Sequence, residues 1–253
     1  MLAAAAARAE GLGRPSVTIP CGGALSLQGI YFRIKVIKLM PIIIHTLSAS
    51  SELKPYAKKL LTMTKSAISA VSALLPLKDI DVVFYVNPEG AIKEIGGIGG
   101  YTPTSHVVFI SLNPHHPKFK YALTHELLAS LAHEFHHAIR FRKPGYGNTL
   151  REAMISEGLA DHFAMEITGR KESWPWSRTL SHAQKKLFLK RASREWRKQG
   201  HYDHTKWFFG SSSPDIPRWT GYTLGYDLVE TYLRAHPGTT ASELVSAPAS
   251  LFI

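Results

Sequence analysis

The sequence has little cysteine and no long apolar run, and each shortage excludes a class of protein. Cys21 is the one cysteine among 253 residues, which excludes an internal disulfide framework and a zinc site built on cysteines. This composition is compatible with a reducing cytoplasm, and we predict a cytoplasmic location. The longest stretch without a charged residue, 95–117, is broken by glycine, proline and histidine, so it does not predict a transmembrane helix.

Acidic residues are scarce relative to basic ones. The chain carries 30 Lys and Arg against 19 Asp and Glu, a net charge of +11. The excess is concentrated in residues 170–198, where Trp174, Trp176 and Trp196 lie among basic side chains. Such a stretch could bind nucleic acid or another anionic surface. The spacing of Leu187 and its charged neighbours instead favours an amphipathic helix with a solvated polar face, and we expect the tryptophans to pack inward.

Length and composition indicate one folded domain. The 253 residues, of which 45% are hydrophobic, can bury a sizeable core, arranged as two lobes around a cleft. The start of the chain differs, because an alanine-rich segment is followed by a tract containing glycine and proline. We predict that residues 1–39 form a flexible leader outside the folded domain, which spans residues 40–253. Alternating apolar residues between 30 and 36 could still add an edge strand.

The most informative motif is H-E-x-x-H, which runs from His133 to His137. Residues in an α-helix advance by about 100° each. The two histidines therefore share one face of a helix predicted over residues 131–142, while its apolar side chains occupy the opposite face. Side chains four residues apart lie about 5–6 Å apart at Cβ, so both imidazoles can reach one metal ion. Glu134 lies beside the histidines rather than between them, as suits a base that acts on water.

A second predicted helix carries two acidic residues at helical spacing. The segment Thr149-Leu-Arg-Glu152 has the pattern of a capping box, and Gly169 is a suitable stop. These signals predict a helix over residues 150–168. Glu157 and Asp161 are four residues apart on it and share a face.

Together these side chains form the ligand set of a catalytic zinc site. Two neutral imidazoles and one carboxylate leave one coordination position open for water. We therefore predict His133, His137 and Glu157 as the metal ligands. Asp161 can accept the outward N–H of a ligand histidine and fix its tautomer. Glu134 is predicted to be the general base that takes a proton from the attacking water.

The chain resembles the gluzincin branch of zinc peptidases, in which H-E-x-x-H is followed by E-x-x-x-D on a second helix. A narrower resemblance, to the YjaZ-like family of zinc-dependent proteases, runs from about residue 40 to 253 and is strongest from 133 to 226. That family was long known only as a domain of unknown function. The segments that carry the resemblance are Ile98-Gly-Gly-Tyr101, His133-Glu-Phe-His-His137, Ser156-Glu-Gly-Leu-Ala-Asp161, Trp207-Phe-Phe-Gly210 and Gly221-Tyr-Thr-Leu-Gly-Tyr226.

The resemblance implies an α+β fold of the zincin-like metallopeptidase type. Such a fold has a small N-terminal mixed sheet with helices, a mainly helical C-terminal lobe, and the H-E-x-x-H helix between them. The resemblance also implies a Zn2+ cofactor and a peptide or protein substrate. Gluzincins often use a tyrosine or a histidine to hydrogen-bond the developing oxyanion. Tyr222 is our first candidate for this role and Tyr226 the second, while His201 and His204 could also reach the cleft.

Local patterns elsewhere predict strands at residues 42–44, 81–86 and 107–112, and a helix at 51–75. The glycine-rich segment 95–103 favours a hairpin or a flap beside the cleft, because its glycines permit positive φ and close backbone approach. In zincins the strand before the motif helix commonly pairs with extended substrate. By that resemblance, residues 105–112 are the candidate strand for substrate binding.

The predicted function is zinc-dependent hydrolysis of peptide bonds, and two other hypotheses stay open. In the first, zinc only staples two helices, and a fourth protein ligand such as His136 or His162 closes the site. His136 could also replace His137 as a ligand. In the second, the chain is a basic nucleic-acid-binding protein whose motif is incidental. The intact Glu134 favours the enzyme, because a purely structural site has no use for a carboxylate there.

Overall fold

The computed structural model describes residues 41–196, 202–210 and 215–252. The predicted leader, including its alternating segment, and His201 lie outside this part of the chain. The domain boundary near residue 40 therefore stays a prediction.

A small mixed sheet begins the described chain. Its strands are β1 (Ile42–Thr46), β2 (Ile80–Val86), β3 (Ile98–Thr104) and β4 (Val107–Leu112). The sheet order is β1-β2-β4-β3, in which β1, β2 and β4 run parallel and β3 pairs antiparallel with β4. The three segments predicted as strands are confirmed as β1, β2 and β4. The glycine-rich segment forms β3, which makes a hairpin with β4.

The chain beyond the sheet is mainly helical. Its helices are α1 (Ala57–Ser72), α2 (Phe119–His125), α3 (Leu127–Arg142), α4 (Leu150–Thr168), α5 (His182–Ser193) and α6 (Thr220–Ala235). Short 3₁₀ turns lie at Lys54–Tyr56, Lys93–Ile95, Pro175–Arg178 and Ala249–Phe252, and a π-helical turn at Thr205–Phe209. Among the described residues, no helix combines the length and apolar character that a membrane span requires.

The observed elements give an α+β architecture, as predicted. α1 begins later than the predicted helix, because the 3₁₀ turn Lys54–Tyr56, which contains Pro55, precedes it. α3 packs its apolar face on the sheet and on α1, where Leu131 and Phe135 are fully buried in the main core. The opposite face of α3, which carries the two motif histidines, is therefore left for α4.

α4 is buried along most of its length. Met154, Leu159 and Phe163 belong to three separate apolar clusters of the molecule, so the helix has packing partners on all sides. Buried polar groups cost free energy unless they are hydrogen-bonded, and α4 therefore needs specific partners for the polar residues it buries. Those residues are Ser156, Glu157, Asp161 and His162.

Both ends of α4 follow the capping signals of the sequence. Thr149 Oγ1 accepts a hydrogen bond from Glu152 N, and the Glu152 carboxylate accepts one from Thr149 N at 3.0 Å. Gly169 follows the last turn with φ of 66°, a left-handed conformation that glycine adopts without steric strain. The helix predicted over residues 150–168 is confirmed.

The basic stretch is partly helical, and two of its tryptophans pack inward as predicted. Trp174 and Trp176 are buried and stack with ring centroids 5.8 Å apart. The charged face of α5 is mostly exposed, in agreement with the solvated helix. The buried apolar residues of α5 are Phe188 and Ala192, whereas Leu187 is 62% exposed. Leu187 therefore lies on the solvated side of this helix.

Two glycines bring the backbones of α4 and α6 into contact. A Cβ on Gly158 would lie 2.2 Å from Gly225 O, and a Cβ on Gly225 would lie 2.0 Å from Met154 O. Backbone atoms cannot move aside as a flexible side chain can. The two glycines therefore fix how closely α6 approaches the helix that carries Glu157.

We expect Gly158→Ala to lower the free energy of unfolding by about 1–3 kcal/mol, because the added methyl group must push α4 away from α6. Urea titration followed by circular dichroism measures the loss. Ser69→Ala, at an exposed position of α1, is the control and should change the free energy by less than about 0.5 kcal/mol. An unchanged urea midpoint for Gly158→Ala would contradict the close crossing.

Candidate metal centre

α3 and α4 face each other with two histidines on one helix and two carboxylates on the other. His133 Nε2 lies 3.0 Å from His137 Nε2 and 3.2 Å from Glu157 Oε2. His137 Nε2 lies 3.4 Å from the same oxygen. The side chains of His137 and Glu157 are buried, and that of His133 is 15% exposed. Each residue thus directs one donor atom to a common point, and the group could hold a metal ion.

The spacing and chemistry of these three atoms fit zinc. Nitrogen and oxygen ligands about 2.0–2.1 Å from a tetrahedral zinc lie about 3.3 Å from one another, and the observed separations are 3.0, 3.2 and 3.4 Å. Imidazole and carboxylate are common zinc ligands, although other divalent ions also accept them. Among the described residues, no fourth His, Cys, Asp or Glu joins the group.

Asp161 lies behind His133 and orients its ring. Asp161 Oδ1 is 3.0 Å from His133 Nδ1. The carboxylate is itself fixed, because it accepts hydrogen bonds from Trp176 Nε1 at 3.0 Å and from Ser177 Oγ at 2.6 Å. A proton on Nδ1 of His133 leaves the lone pair on Nε2, which faces the common point. His137 differs, since its Nδ1 is buried without a hydrogen-bond partner among the described residues.

A tyrosine holds the second oxygen of Glu157. Tyr146 Oη donates a 2.7 Å hydrogen bond to Glu157 Oε1, and its ring lies 5.6 Å from that of His137. Burial and the neighbouring Glu157 raise the pKa of Tyr146 well above its usual value, so the hydroxyl keeps its proton and acts as a donor. The two oxygens of Glu157 thus have different partners, imidazoles for one and a phenol for the other.

The surroundings of the imidazoles favour positive charge. Burial alone would raise the pKa of Glu157, but His137 and His133 hold it well below its usual range. Burial alone would lower the pKa of His133, but its hydrogen bonds with Asp161 and Glu157 raise it well above its usual value. The two carboxylates therefore stabilise a positive charge at the point where the imidazoles meet, which is also what a bound cation requires.

Glu134 lies beside the ligand set and is held by β3. Thr102 Oγ1 donates a 2.6 Å hydrogen bond to Glu134 Oε2, which leaves Oε1 as the oxygen that can take a proton. A Cβ on Gly100 would lie 2.2 Å from Glu134 Oε1, so a glycine at this strand position makes room for the carboxylate. Burial raises the pKa of Glu134, an effect that His133 and His137 partly offset.

Tyr222 lies near the same carboxylates. Burial, together with Glu157 and Glu134, raises its pKa well above the usual value, so its hydroxyl is protonated. The ring packs edge-on against Phe208, with centroids 5.0 Å apart. Its hydroxyl makes no hydrogen bond to another described residue, and Tyr222 stays a candidate for contact with a bound molecule.

Tyr226 is directed elsewhere. Its ring stacks on His162 with centroids 4.2 Å apart, and its hydroxyl contacts Met165 Sδ at 3.6 Å. Both contacts are with side chains of α4 outside the ligand set, so Tyr222 stays the first candidate for the oxyanion donor.

His136 and His162 do not join the ligand set. His136 is fully buried beside Phe163, with ring centroids 5.3 Å apart, and neither ring nitrogen has a hydrogen-bond partner among the described residues. His162 Nε2 lies 3.2 Å from Tyr226 O. The hypotheses that His136 replaces His137, or that either residue supplies a fourth ligand, are contradicted by this geometry.

His204 lies at the border of the site. Its ring stacks on Phe208 at 4.4 Å and lies 6.3 Å from that of Tyr146. The His204 Nδ1 atom is 3.2 Å from Tyr202 Oη. His204 therefore stays a candidate for contact with a bound molecule.

β3, rather than β4, forms the edge of the sheet beside Glu134. β4 pairs with β2 on one side and with β3 on the other, so neither edge of β4 can accept another strand. The prediction that residues 105–112 pair with substrate is therefore wrong. Ile98 O accepts a hydrogen bond from Ile92 N on the outer edge of β3. The backbone N–H and C=O groups of successive residues point to opposite edges of a strand, so those of Gly100, two residues after Ile98, point to the same outer edge.

Reasoning from the sequence missed Tyr146, Thr102 and the role of Gly100. Tyr146 lies in the turn-rich link between α3 and α4, where no periodic pattern marks a functional residue. Gly100 and Thr102 lie two residues apart, and residues at that spacing share one face of a strand. This two-residue spacing could have indicated that both residues face Glu134, but glycines do not show which face of a strand is buried.

Comparison with known proteins identifies relatives of the chain. The profile of a family described as "Predicted Zn-dependent protease (DUF2268)" matches residues 60–253. Uncharacterized protein YjfC of Bacillus subtilis (strain 168) is 22% identical over 170 residues, which cover 63% of this chain and 55% of YjfC. Uncharacterized protein YjaZ of the same strain is 29% identical over 130 residues, which cover 49% of each chain. The chain thus spans about half the length of these curated relatives.

We expect Thr102→Val to lower the free energy of unfolding by about 1.5–3 kcal/mol, because it removes the hydroxyl that pairs with the buried Glu134 carboxylate and keeps the shape of the side chain. Urea titration at neutral pH measures the loss. Thr102→Ser retains the hydroxyl and should lose clearly less. Equal losses for the valine and serine variants would contradict a stabilising role for this hydrogen bond.

Proposed function

The chain belongs to the family described as Predicted Zn-dependent protease (DUF2268), and we propose that it hydrolyses peptide bonds at a zinc ion held by His133, His137 and Glu157. The observation that carries the proposal is the convergence of these side chains from α3 and α4, with donor atoms 3.0 to 3.4 Å apart. Asp161 behind His133 supports it, because a carboxylate in that place is typical of zinc sites. We also propose that the α+β arrangement is of the zincin type.

Glu134 is the proposed general base. Zinc supplies Lewis acidity, which polarises a carbonyl oxygen and lowers the pKa of a bound water toward about 7. Glu134 Oε1 can take the proton of the attacking water and later pass it to the leaving amine. Thr102 fixes the other oxygen at 2.6 Å, so the carboxylate keeps one orientation throughout. Burial raises the pKa of Glu134, which makes it a stronger base once ionised.

Tyr222 is the proposed donor to the developing oxyanion. Its hydroxyl is protonated and near the ligand carboxylate, whereas the hydroxyl of Tyr146 is already bonded to Glu157. A hydrogen bond that strengthens as negative charge develops on the carbonyl oxygen lowers the barrier of the reaction.

The family description implies a peptide substrate, and the outer edge of β3 is its proposed binding strand. The N–H and C=O of Gly100 face that edge, so an extended peptide can add to the sheet there by main-chain hydrogen bonds. The missing side chain at Gly100 also brings the strand close to Glu134. A peptide bound in this way would lie next to the proposed base.

Two other hypotheses have less support. A zinc staple requires a fourth protein ligand, and the two candidates, His136 and His162, lie outside the ligand set. Binding of nucleic acid through the basic stretch would use exposed aromatic side chains for stacking, but Trp174 and Trp176 are buried. We therefore favour the peptidase.

The main test pairs metal analysis with digestion of a peptide library. We expect Glu134→Gln to keep its zinc and to cleave at least about 100-fold more slowly, because it loses the proton acceptor but no ligand. His137→Ala should lose both zinc and cleavage. His125→Gln, at a histidine that stacks on Tyr121 in α2, is the control and should retain both. Full cleavage by the Glu134→Gln protein would refute the assigned base.

Tyr222→Phe tests the oxyanion donor. We expect kcat to fall about 100-fold, with zinc content and KM little changed, because the hydroxyl acts mainly in the transition state. Tyr226→Phe is the matched control from the same helix and should keep wild-type kcat. A similar loss in both variants would show that the effect does not come from a hydroxyl at the site.

A further inference from the structure

We propose that Tyr146 is a positioning residue that restricts Glu157 to one ligating oxygen and thereby sets the affinity and coordination number of the metal site. The inference rests on the proposed zinc site, but it concerns a residue outside the ligand set. It starts from the unequal surroundings of the two carboxylate oxygens of Glu157.

The two oxygens of Glu157 have separate tasks. Oε2 lies 3.2 Å from His133 Nε2 and 3.4 Å from His137 Nε2, whereas Oε1 accepts a 2.7 Å hydrogen bond from Tyr146 Oη. A carboxylate can bind a cation through one oxygen or through both, and binding through both occupies an additional coordination position. The phenol draws electron density from Oε1, which makes that oxygen a weaker ligand and keeps the position open.

Tyr146 is held at both ends. Its ring stacks on Phe141 at 6.0 Å and lies 5.6 Å from the ring of His137. Its carbonyl oxygen accepts a 2.9 Å hydrogen bond from Ser156 Oγ, and Ser156 directly precedes Glu157 in α4. The carbonyl and the hydroxyl of Tyr146 therefore bind adjacent residues of one helix, which fixes the tyrosine relative to the carboxylate.

A buried arginine reinforces this arrangement. Arg140 Nε donates to Ser156 Oγ at 3.0 Å, and Arg140 Nη1 donates to the carbonyl oxygens of Val245 and Ala247, both at 2.9 Å. Arg140 is 1% exposed, so water does not compete for these hydrogen bonds. The network joins α3, α4, the link between them and the C-terminal segment. Tyr146 thus has little freedom to leave Glu157.

Tyr146→Phe removes the hydroxyl and keeps the ring. We expect the zinc affinity, measured by competition with a chromophoric chelator, to fall about 10- to 100-fold, because the Glu157 carboxylate is no longer held with Oε2 toward the imidazoles and the cost of losing that orientation exceeds any gain from a second oxygen. With cobalt(II) as the probe, we also expect the visible spectrum to change, because the freed Oε1 lets Glu157 bind through both oxygens. Tyr226→Phe, which removes a hydroxyl that contacts Met165, is the matched control. It should keep the affinity and the spectrum of the wild type.

A measurement on the wild type does not depend on how well the variant folds. The separation between the symmetric and antisymmetric carboxylate stretches differs between one-oxygen and two-oxygen binding. In infrared difference spectra recorded on zinc addition, the two stretches of Glu157 are identified by their loss in the Glu157→Gln variant. We expect their separation to be the one that is typical of a carboxylate bound through one oxygen. The two-oxygen separation would overturn the inference. The inference would also be overturned if Tyr146→Phe kept the zinc affinity and the cobalt spectrum of the wild type. Equal loss of zinc affinity in Tyr146→Phe and Tyr226→Phe would overturn it as well.

Failure of the zinc site itself gives a different result. A wild-type protein that binds no zinc, or that binds it as tightly after His137→Ala, refutes the proposed site and the inference with it. If zinc binding by the wild type depends on His137 but the Tyr146→Phe variant keeps wild-type zinc affinity and cobalt spectrum, only the positioning role of Tyr146 is refuted.

Discussion

The burial of two carboxylates on α4 is the constraint on which the rest of the structure depends. Glu157 and Asp161 are almost fully buried, and a buried charge without partners is strongly destabilising. The fold supplies partners from three directions: α3 provides the imidazoles, the link after α3 provides the Tyr146 hydroxyl, and the turn Pro175–Arg178 provides donors to Asp161. The residues that stabilise α4 in its buried position are thus the same ones that shape the candidate site.

The sheet contributes residues to the candidate site from its edge strand rather than from its central strands. α3 packs on β3 and β4, and β3 is the antiparallel strand at the edge of the sheet. Thr102 and Gly100 lie on one face of β3, where one binds the Glu134 carboxylate and the other makes room for it. The strand proposed to bind a peptide therefore also holds the proposed base. Because a side chain at Gly100 would occupy the space of the Glu134 carboxylate, there is a physical reason for a glycine in this strand, where glycine otherwise weakens pairing.

The sequence predicted local structure well and tertiary pairing poorly. The bounds of α4 followed from its capping box and terminal glycine, because these signals act through neighbouring backbone groups. The spacing of His133, His137, Glu157 and Asp161 likewise predicted which side chains share a helix face. Strand order carries no such local signal, so β4 was mistaken for the edge. Tyr146 lies in a link without periodicity, and its partner is known only once the two helices are packed.

We expect His133, His137 and Glu157 to bind a single cation and to leave one coordination position for solvent. Anomalous diffraction at the zinc edge, from crystals of the wild-type protein grown with zinc, tests it most directly. We expect one strong peak between the two imidazoles and the Glu157 carboxylate, with solvent as the remaining neighbour. A peak elsewhere, a fourth protein ligand, or a Glu157 side chain directed away from the ion would contradict it.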